Sequence, residues 1–112
     1  MRVRVAKKSY IIALKLREMN ISKSDFQLNV VNRVRELRIE RNVSQNRLAS
    51  LLLLSNGQIG NIESPKYQHK YTLKQLKILS DFFNVNIAYW FTGENRDLSS
   101  SELINQIIKY DE

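Results

Sequence analysis

Residues Ser44–Glu63 read SQNRLASLLLLSNGQIGNIE, and the fold turns on this stretch. Ser44 is a strong helix N-cap, and Leu48, Ala49 and Leu52 recur on one side of a helix from about Gln45 to Leu52. Leu53 and Leu54 make a brief turn. Ser55 then caps a second helix to about Glu63, in which Ile59 and Ile62 stand three apart on the inner side. Ala49 is small where the second helix must cross the first closely, and Leu54 fills the corner between them. Anchoring the two isoleucines leaves Asn56, Gly57, Gln58, Gly60 and Asn61 on the outer side.

Two short helices joined by a tight turn, the second rich in small polar residues, describe a helix-turn-helix. Its outer side has the chemistry of a DNA reader, because Asn and Gln can pair bidentately with adenine N6 and N7 in the major groove. Gly57 and Gly60 each cost roughly 1 kcal/mol in helix propensity. Either close approach to base edges and thymine methyls, or simply a loose surface helix, accounts for them. The second helix carries no Lys or Arg. Guanine-directed Arg contacts are therefore absent, affinity has to come from the flanks, and an A/T-leaning site is expected.

Working outward, Ser24 and Gln27 form a capping-box pattern that opens a long helix with Phe26, Val30, Val34 and Leu37 at helical spacing, ending at Asn42. Downstream, Pro65 closes the second motif helix and 66–71 is a polar, basic loop. Thr72 caps a fourth helix carrying Leu73, Leu76, Leu79, Phe82 and Phe83, which ends at Asn84. Asn86 caps a short helix, Ile87 to Phe91, stopped by Gly93. Ser99 and Glu102 form another capping box, leading a last amphipathic helix with Leu103, Ile104, Ile107 and Ile108. Near the start, Tyr10 to Met19 fits a helix through Ile12, Leu16 and Met19, and fits a strand through its alternation equally well. The chain thus divides into a basic arm or helix at 1–23, the helix-turn-helix body at 24–93, and a linker with the amphipathic helix at 94–112. The expected class is all-α.

The chain has 112 residues and a formal net charge of +7. Residues 1–28 carry +5, 29–93 another +5, and 94–112 carry −3. A basic arm and body with an acidic tail favour a polyanionic partner, nucleic acid before membrane. Cys is absent and His69 is the single His, which excludes disulfide scaffolds, thiolate zinc sites and His triads. His69 sits in the basic loop, a place for a solvent- or phosphate-facing group and not a metal ligand. Three Gly leave no phosphate-binding fingerprint. Glu63 and Asp81 are not arranged as an acid/base pair. The expectation is a binding protein without enzymatic activity, cofactor or metal. No segment reaches the roughly 18 apolar residues of a membrane span, and the start is a poor signal peptide, so a cytoplasmic place is expected.

Arg33 to Gly93 resembles the Xre or phage-repressor (lambda-repressor-like, Cro-type) helix-turn-helix family. The resemblance rests on Val34, Leu37, Arg38, Arg41, Ser44, Gln45, Leu48, Ala49, Leu54, Ser55, Ile59, Ile62 and Glu63, and on Asn86 to Glu94. It implies a five-helix domain, here with an N-terminal extension and an added C-terminal helix. It implies that Ser55, Asn56, Gly57, Gln58 and Asn61 face bases. Ser44, Gln45, Ser64, Lys66, His69 and Lys70 would then grip DNA phosphates, with Gln45 also buttressing the recognition helix. Arg38 and Glu63 match a structural ion pair of the family. The sequence departs at Leu53, where the family usually has Gly, so a different turn or a strained backbone is expected. The resemblance implies a transcription regulator, a repressor acting as a homodimer on a palindromic operator. The rival reading is an antitoxin or protein-interaction module on the same scaffold, with a toxin or regulator as partner. The run Leu51–Leu54 and the apolar C-terminal helix motivate it.

Overall fold

A computed structural model describes residues 22–112, and everything structural below concerns them. The arm or helix expected near the N-terminus lies almost wholly outside them. Among the described residues are six helices and no strand: α1 (Asp25–Glu40), α2 (Gln45–Leu52), α3 (Asn56–Glu63), α4 (Leu73–Phe83), α5 (Ala88–Thr92) and α6 (Ser100–Asp111). The architecture is all-α, with α1–α5 as the helix-turn-helix body and α6 added to it.

Side-chain caps set most of the starts. Ser24 Oγ accepts from Gln27 N at 3.1 Å while Gln27 Oε1 accepts from Ser24 N at 3.0 Å, a complete capping box. The same reciprocal pair opens α3 (Ser55, Gln58), α4 (Thr72, Gln75) and α6 (Ser99, Glu102). For α3 and α4 the sequence reading had found the hydroxyl half of the box and missed the glutamine. The start of α5 differs from expectation. Ile87 holds the N-cap position without a side-chain bond, and Asn86 Oδ1 accepts from Ala88 N at 2.9 Å one residue earlier, so α5 begins at Ala88.

The helix ends use cations and left-handed residues. Arg33 NH1 donates to Trp90 O and Phe91 O (3.0 and 3.1 Å) at the end of α5, and Arg41 NH1 donates to Phe83 O (3.0 Å) at the end of α4. Both place positive charge on carbonyls the helix leaves unpaired. Gly93 follows α5 at φ +79°, a backbone that favours glycine, and a Cβ there would press on the Arg33 guanidinium, 3.2 Å from Nε.

The core joins Val30, Val31, Val34 and Leu37 of α1 to Leu48 and Leu52 of α2, Ile59 and Ile62 of α3, Leu76, Leu79 and Phe83 of α4, and Trp90 and Phe91 of α5. Trp90 is fully buried, and its indole N–H donates to Ser80 Oγ (2.8 Å) and Leu76 O (3.1 Å), which satisfies its one polar atom. Helix α6 docks on its own chain through Tyr110. This ring lies edge-on to Phe91, its hydroxyl donates to Tyr71 O at 2.6 Å, and its carbonyl accepts from Gln27 Nε2 at 2.7 Å. Leu103 and Ile107 are half-buried beside it, whereas Ile104 and Ile108 are 53% and 54% exposed.

Leu53 caps the end of α2 in the left-handed region (φ 58°, ψ 40°) with its side chain 92% exposed. Of the two outcomes expected at this position, the strained backbone is the one found. The run Leu51–Leu54 is therefore no continuous apolar patch: Leu52 is buried, Leu51 and Leu54 are half-buried, and Leu53 alone points out. An L-residue in this conformation costs about 1–2 kcal/mol. Glycine returns only part of that in unfolded-state entropy. Leu53→Gly is accordingly expected to stabilise the protein by about 1 kcal/mol, a rise of roughly 4–8 °C in Tm for a domain of this size, measured by thermal denaturation.

Candidate nucleic-acid interface

Helix α3 is held from its inner, C-terminal end. Arg38 of α1 forks onto Glu63 of α3, Nε to Oε2 at 2.8 Å and NH2 to Oε1 at 3.0 Å, and both residues are buried. The third arm of the guanidinium, NH1, donates to Val43 O at 3.0 Å in the α1–α2 connection. Gln45, first residue of α2, donates from Nε2 to Glu63 Oε1 at 2.9 Å. Arg35 Nε stands 3.7 Å from the same oxygen with its side chain half-exposed. One carboxylate thus collects bonds from α1 and α2, and the planar fork fixes its orientation as well as its place.

With Ile59 and Ile62 buried and Glu63 paired, the remaining positions of α3 turn outward. Ser55, Asn56, Gly57 and Gln58 are exposed at its start and Asn61 is half-exposed one turn on. Ser55 and Gln58 are partly committed to the capping box (2.8 and 3.1 Å), so neither is a fully free side chain. Neither helical glycine is demanded by packing. A Cβ at Gly60 would meet nothing within 4 Å, and at Gly57 only Ser55 Oγ at 3.9 Å.

The residues expected at phosphates fall in two groups. Ser44 and Gln45 start α2, where Ser44 Oγ accepts from Arg47 N at 2.9 Å and Gln45 is already turned toward Glu63. Ser64, Lys66, His69 and Lys70 lie on the loop that leaves α3. Ser64 Oγ accepts from Lys66 N at 3.1 Å, and Lys66 and His69 are exposed. Lys70 Nζ stands 5.2 Å over the Tyr110 ring, so its charge is drawn toward α6 by a cation–π contact. A notch of about 180 Å³ separates α3 from the start of α4, floored by Leu54 and Ile62, with Gln58, His69 and Gln75 at its edges.

Lys23 shapes the same loop and was missed in the sequence, where it closed the basic arm or helix expected over 1–23. It is buried, and its Nζ donates to Ser64 O and Tyr67 O at 2.6 Å each. Burial holds its pKa below the ordinary lysine value. It clamps the end of α3 and the bend after it from a position 41 residues away in sequence. Nothing local to Lys23 announces a partner that distant.

The family model for the helix-turn-helix domain matches residues 31–96, which takes in α1 from Val31, the whole of α2 to α5, and both halves of the Arg38–Glu63 pair. The chain belongs to the helix-turn-helix domain family. The matched stretch takes in Arg33 to Gly93, over which the sequence resembles the repressor-like helix-turn-helix family. No curated protein and no solved structure matches the chain. Among the described residues no group of His, Asp and Glu is placed to hold a metal ion, and no helix is long and apolar enough to cross a membrane.

Two stability measurements separate scaffold from surface. Glu63→Gln keeps the shape but leaves the buried Arg38 charge unpaired, and denaturant unfolding should show a loss of about 3 kcal/mol or more. Gly60→Ala should instead gain about 1 kcal/mol from helix propensity, because the added methyl has room.

Proposed function

We propose that the protein is a sequence-specific regulator of transcription that reads double-stranded DNA with the outward side of α3. The observation that carries this reading is an uncharged amide face, Asn56, Gln58 and Asn61, on a helix whose single charge is neutralised inside the fold by Arg38. Membership of the helix-turn-helix family supports DNA as the partner of that face. Attraction to phosphates falls to residues around α3: Ser44 and Gln45 at the start of α2, Ser64, Lys66, His69 and Lys70 on the loop, and Arg35 beside Glu63. Such division of labour is general, since phosphate contacts position a protein on DNA and base contacts specify the site.

The protein acts, on this reading, as a homodimeric repressor on a palindromic operator in the cytoplasm. Two copies of α3 would stand about 34 Å apart, one turn of the duplex. The reading assigns the chain no reaction and no cofactor. A second reading, a protein-interaction module such as an antitoxin with DNA binding secondary, is favoured by one observation. The half-exposed Ile104 and Ile108 leave an apolar stripe on α6.

Selection of duplexes from a random library at near-physiological salt tests the first reading. It predicts an enriched inverted repeat with half-sites about 10–11 base pairs apart. Asn56→Ala or Asn61→Ala should relax preference at one position per half-site. Lys66→Ala should weaken every sequence alike and lower the salt slope by about one. Backbone-only binding that vanishes as salt rises would favour the second reading.

A further inference from the structure

The loop that leaves α3 has little backbone bonding of its own. Among the described residues, no backbone–backbone hydrogen bond ties 65–71 to itself or to a helix, and Pro65 to His69 are exposed. Behind the loop a polar cleft of about 490 Å³ opens toward the start of α1 and the end of α6, with Lys23, Gln27, Gln68, Lys70 and Glu112 in its lining. Between Ser64 and the buried Tyr71 ring, the loop spans that cleft and does not pack across it.

Side chains that reach its carbonyls hold it instead. Lys23 Nζ donates to Ser64 O and Tyr67 O, and the Tyr110 hydroxyl donates to Tyr71 O, at 2.6 Å in all three cases. The Tyr110 ring also lies under Lys70 Nζ, 5.2 Å away. Tyr110 is fixed in turn, buried against Phe91 with its carbonyl taken by Gln27 Nε2 at 2.7 Å. Both clamping residues come from outside the stretch the family model covers, 31–96: Lys23 precedes it and Tyr110 follows it. The helix-turn-helix domain by itself does not supply them.

We propose that Lys23 and Tyr110 are positioning residues of the loop that meets DNA phosphates. Together they fix the course of 64–71, so that Lys66 and His69 are presented to the duplex backbone in one arrangement, and they make that grip depend on α6 staying docked. The inference rests on the reading that α3 and its loop face DNA. Its physical basis is preorganisation: a loop ordered only at the moment of binding draws on the binding free energy, whereas a loop already held contributes its contacts in full. Neither residue has to touch DNA for this. Base reading is left alone, because Ile59, Ile62 and the Arg38–Glu63 pair hold α3.

Tyr110→Phe is the deciding variant. It keeps the ring against Phe91 and under Lys70, changes no charge, and removes only the bond to Tyr71 O. Lys23→Met keeps the bulk of the stem and removes the other two bonds. The full chain and both variants are compared on a duplex selected by the parent. Amide heteronuclear NOEs report the order of the loop, and affinity is measured over a series of salt concentrations, below the melting temperature of each protein.

In each variant the NOEs of 66–70 are expected to fall while those of α1 to α5 hold, with the selected sequence unchanged. The dissociation constant at near-physiological salt should rise about threefold in Tyr110→Phe and about tenfold in Lys23→Met, the scale of one and two lost hydrogen bonds. The slope of affinity against salt should drop by up to about one, the loss of a phosphate contact. A purely structural role would lower the melting temperature and leave the slope of the folded variants at the parent's value, and that result would overturn the proposal. So would unchanged loop NOEs in Tyr110→Phe, a loosened loop with parental affinity, or an altered base preference. Should Lys23→Met not fold, Tyr110→Phe decides alone. A parent that selects no duplex would remove the DNA reading and this proposal with it, whereas the other contrary results remove this one only.

Discussion

The pairing of Arg38 with Glu63 is the interaction on which the candidate site depends. α3 is eight residues long, too short to hold itself in water, since isolated helices of that length are marginal at best. Its order comes from two buried isoleucines and one carboxylate. The isoleucines fix which side faces in. The carboxylate, forked by Arg38 and bonded by Gln45, ties the end of α3 to α1 and α2. Burying two charges is costly, and the cost is offset only where geometry is good and the remaining hydrogen-bonding groups are filled. Here Val43 O takes the third arm of the guanidinium.

That arrangement also explains a face without charge on a basic protein. The one ionisable residue of α3 is neutralised within the fold, so the outward side presents amides, a hydroxyl and two glycines. Positive charge is left to Arg35, Lys66 and their neighbours at the edges. On the proposed reading, long-range attraction and local reading fall to different residues, and substitutions in the two sets should fail in different ways.

Much of this was legible in the sequence because its causes are local. Ser24, Ser44, Ser55, Thr72 and Ser99 mark helix starts by chemistry that acts over three residues, and Ile59 and Ile62 mark the inner side of α3 by spacing alone. The left-handed Leu53 was legible as a conflict between a position that wants glycine and a residue that resists it. Lys23 and Tyr110 were not legible. Lys23 finds its acceptors 41 and 44 residues downstream, and the carbonyl of Tyr110 meets Gln27 across 83 residues. Contacts of that range leave no periodicity. The capping-box role of Gln58 lay between these cases, since its partner is three residues away but the pattern had been read only as a serine cap.

The central claim is that α3 and the loop after it are the surface that meets DNA. Side-chain amide and backbone NMR spectra of the labelled protein, recorded while a selected duplex is added, test it most directly. The account predicts that the largest shifts fall on the Asn56, Gln58 and Asn61 amides and on the Ser64–Lys70 loop, with the Ile104 and Ile108 side of α6 unmoved by the duplex. Shifts confined to α6, or a spectrum that does not change with duplex present in excess, would contradict it.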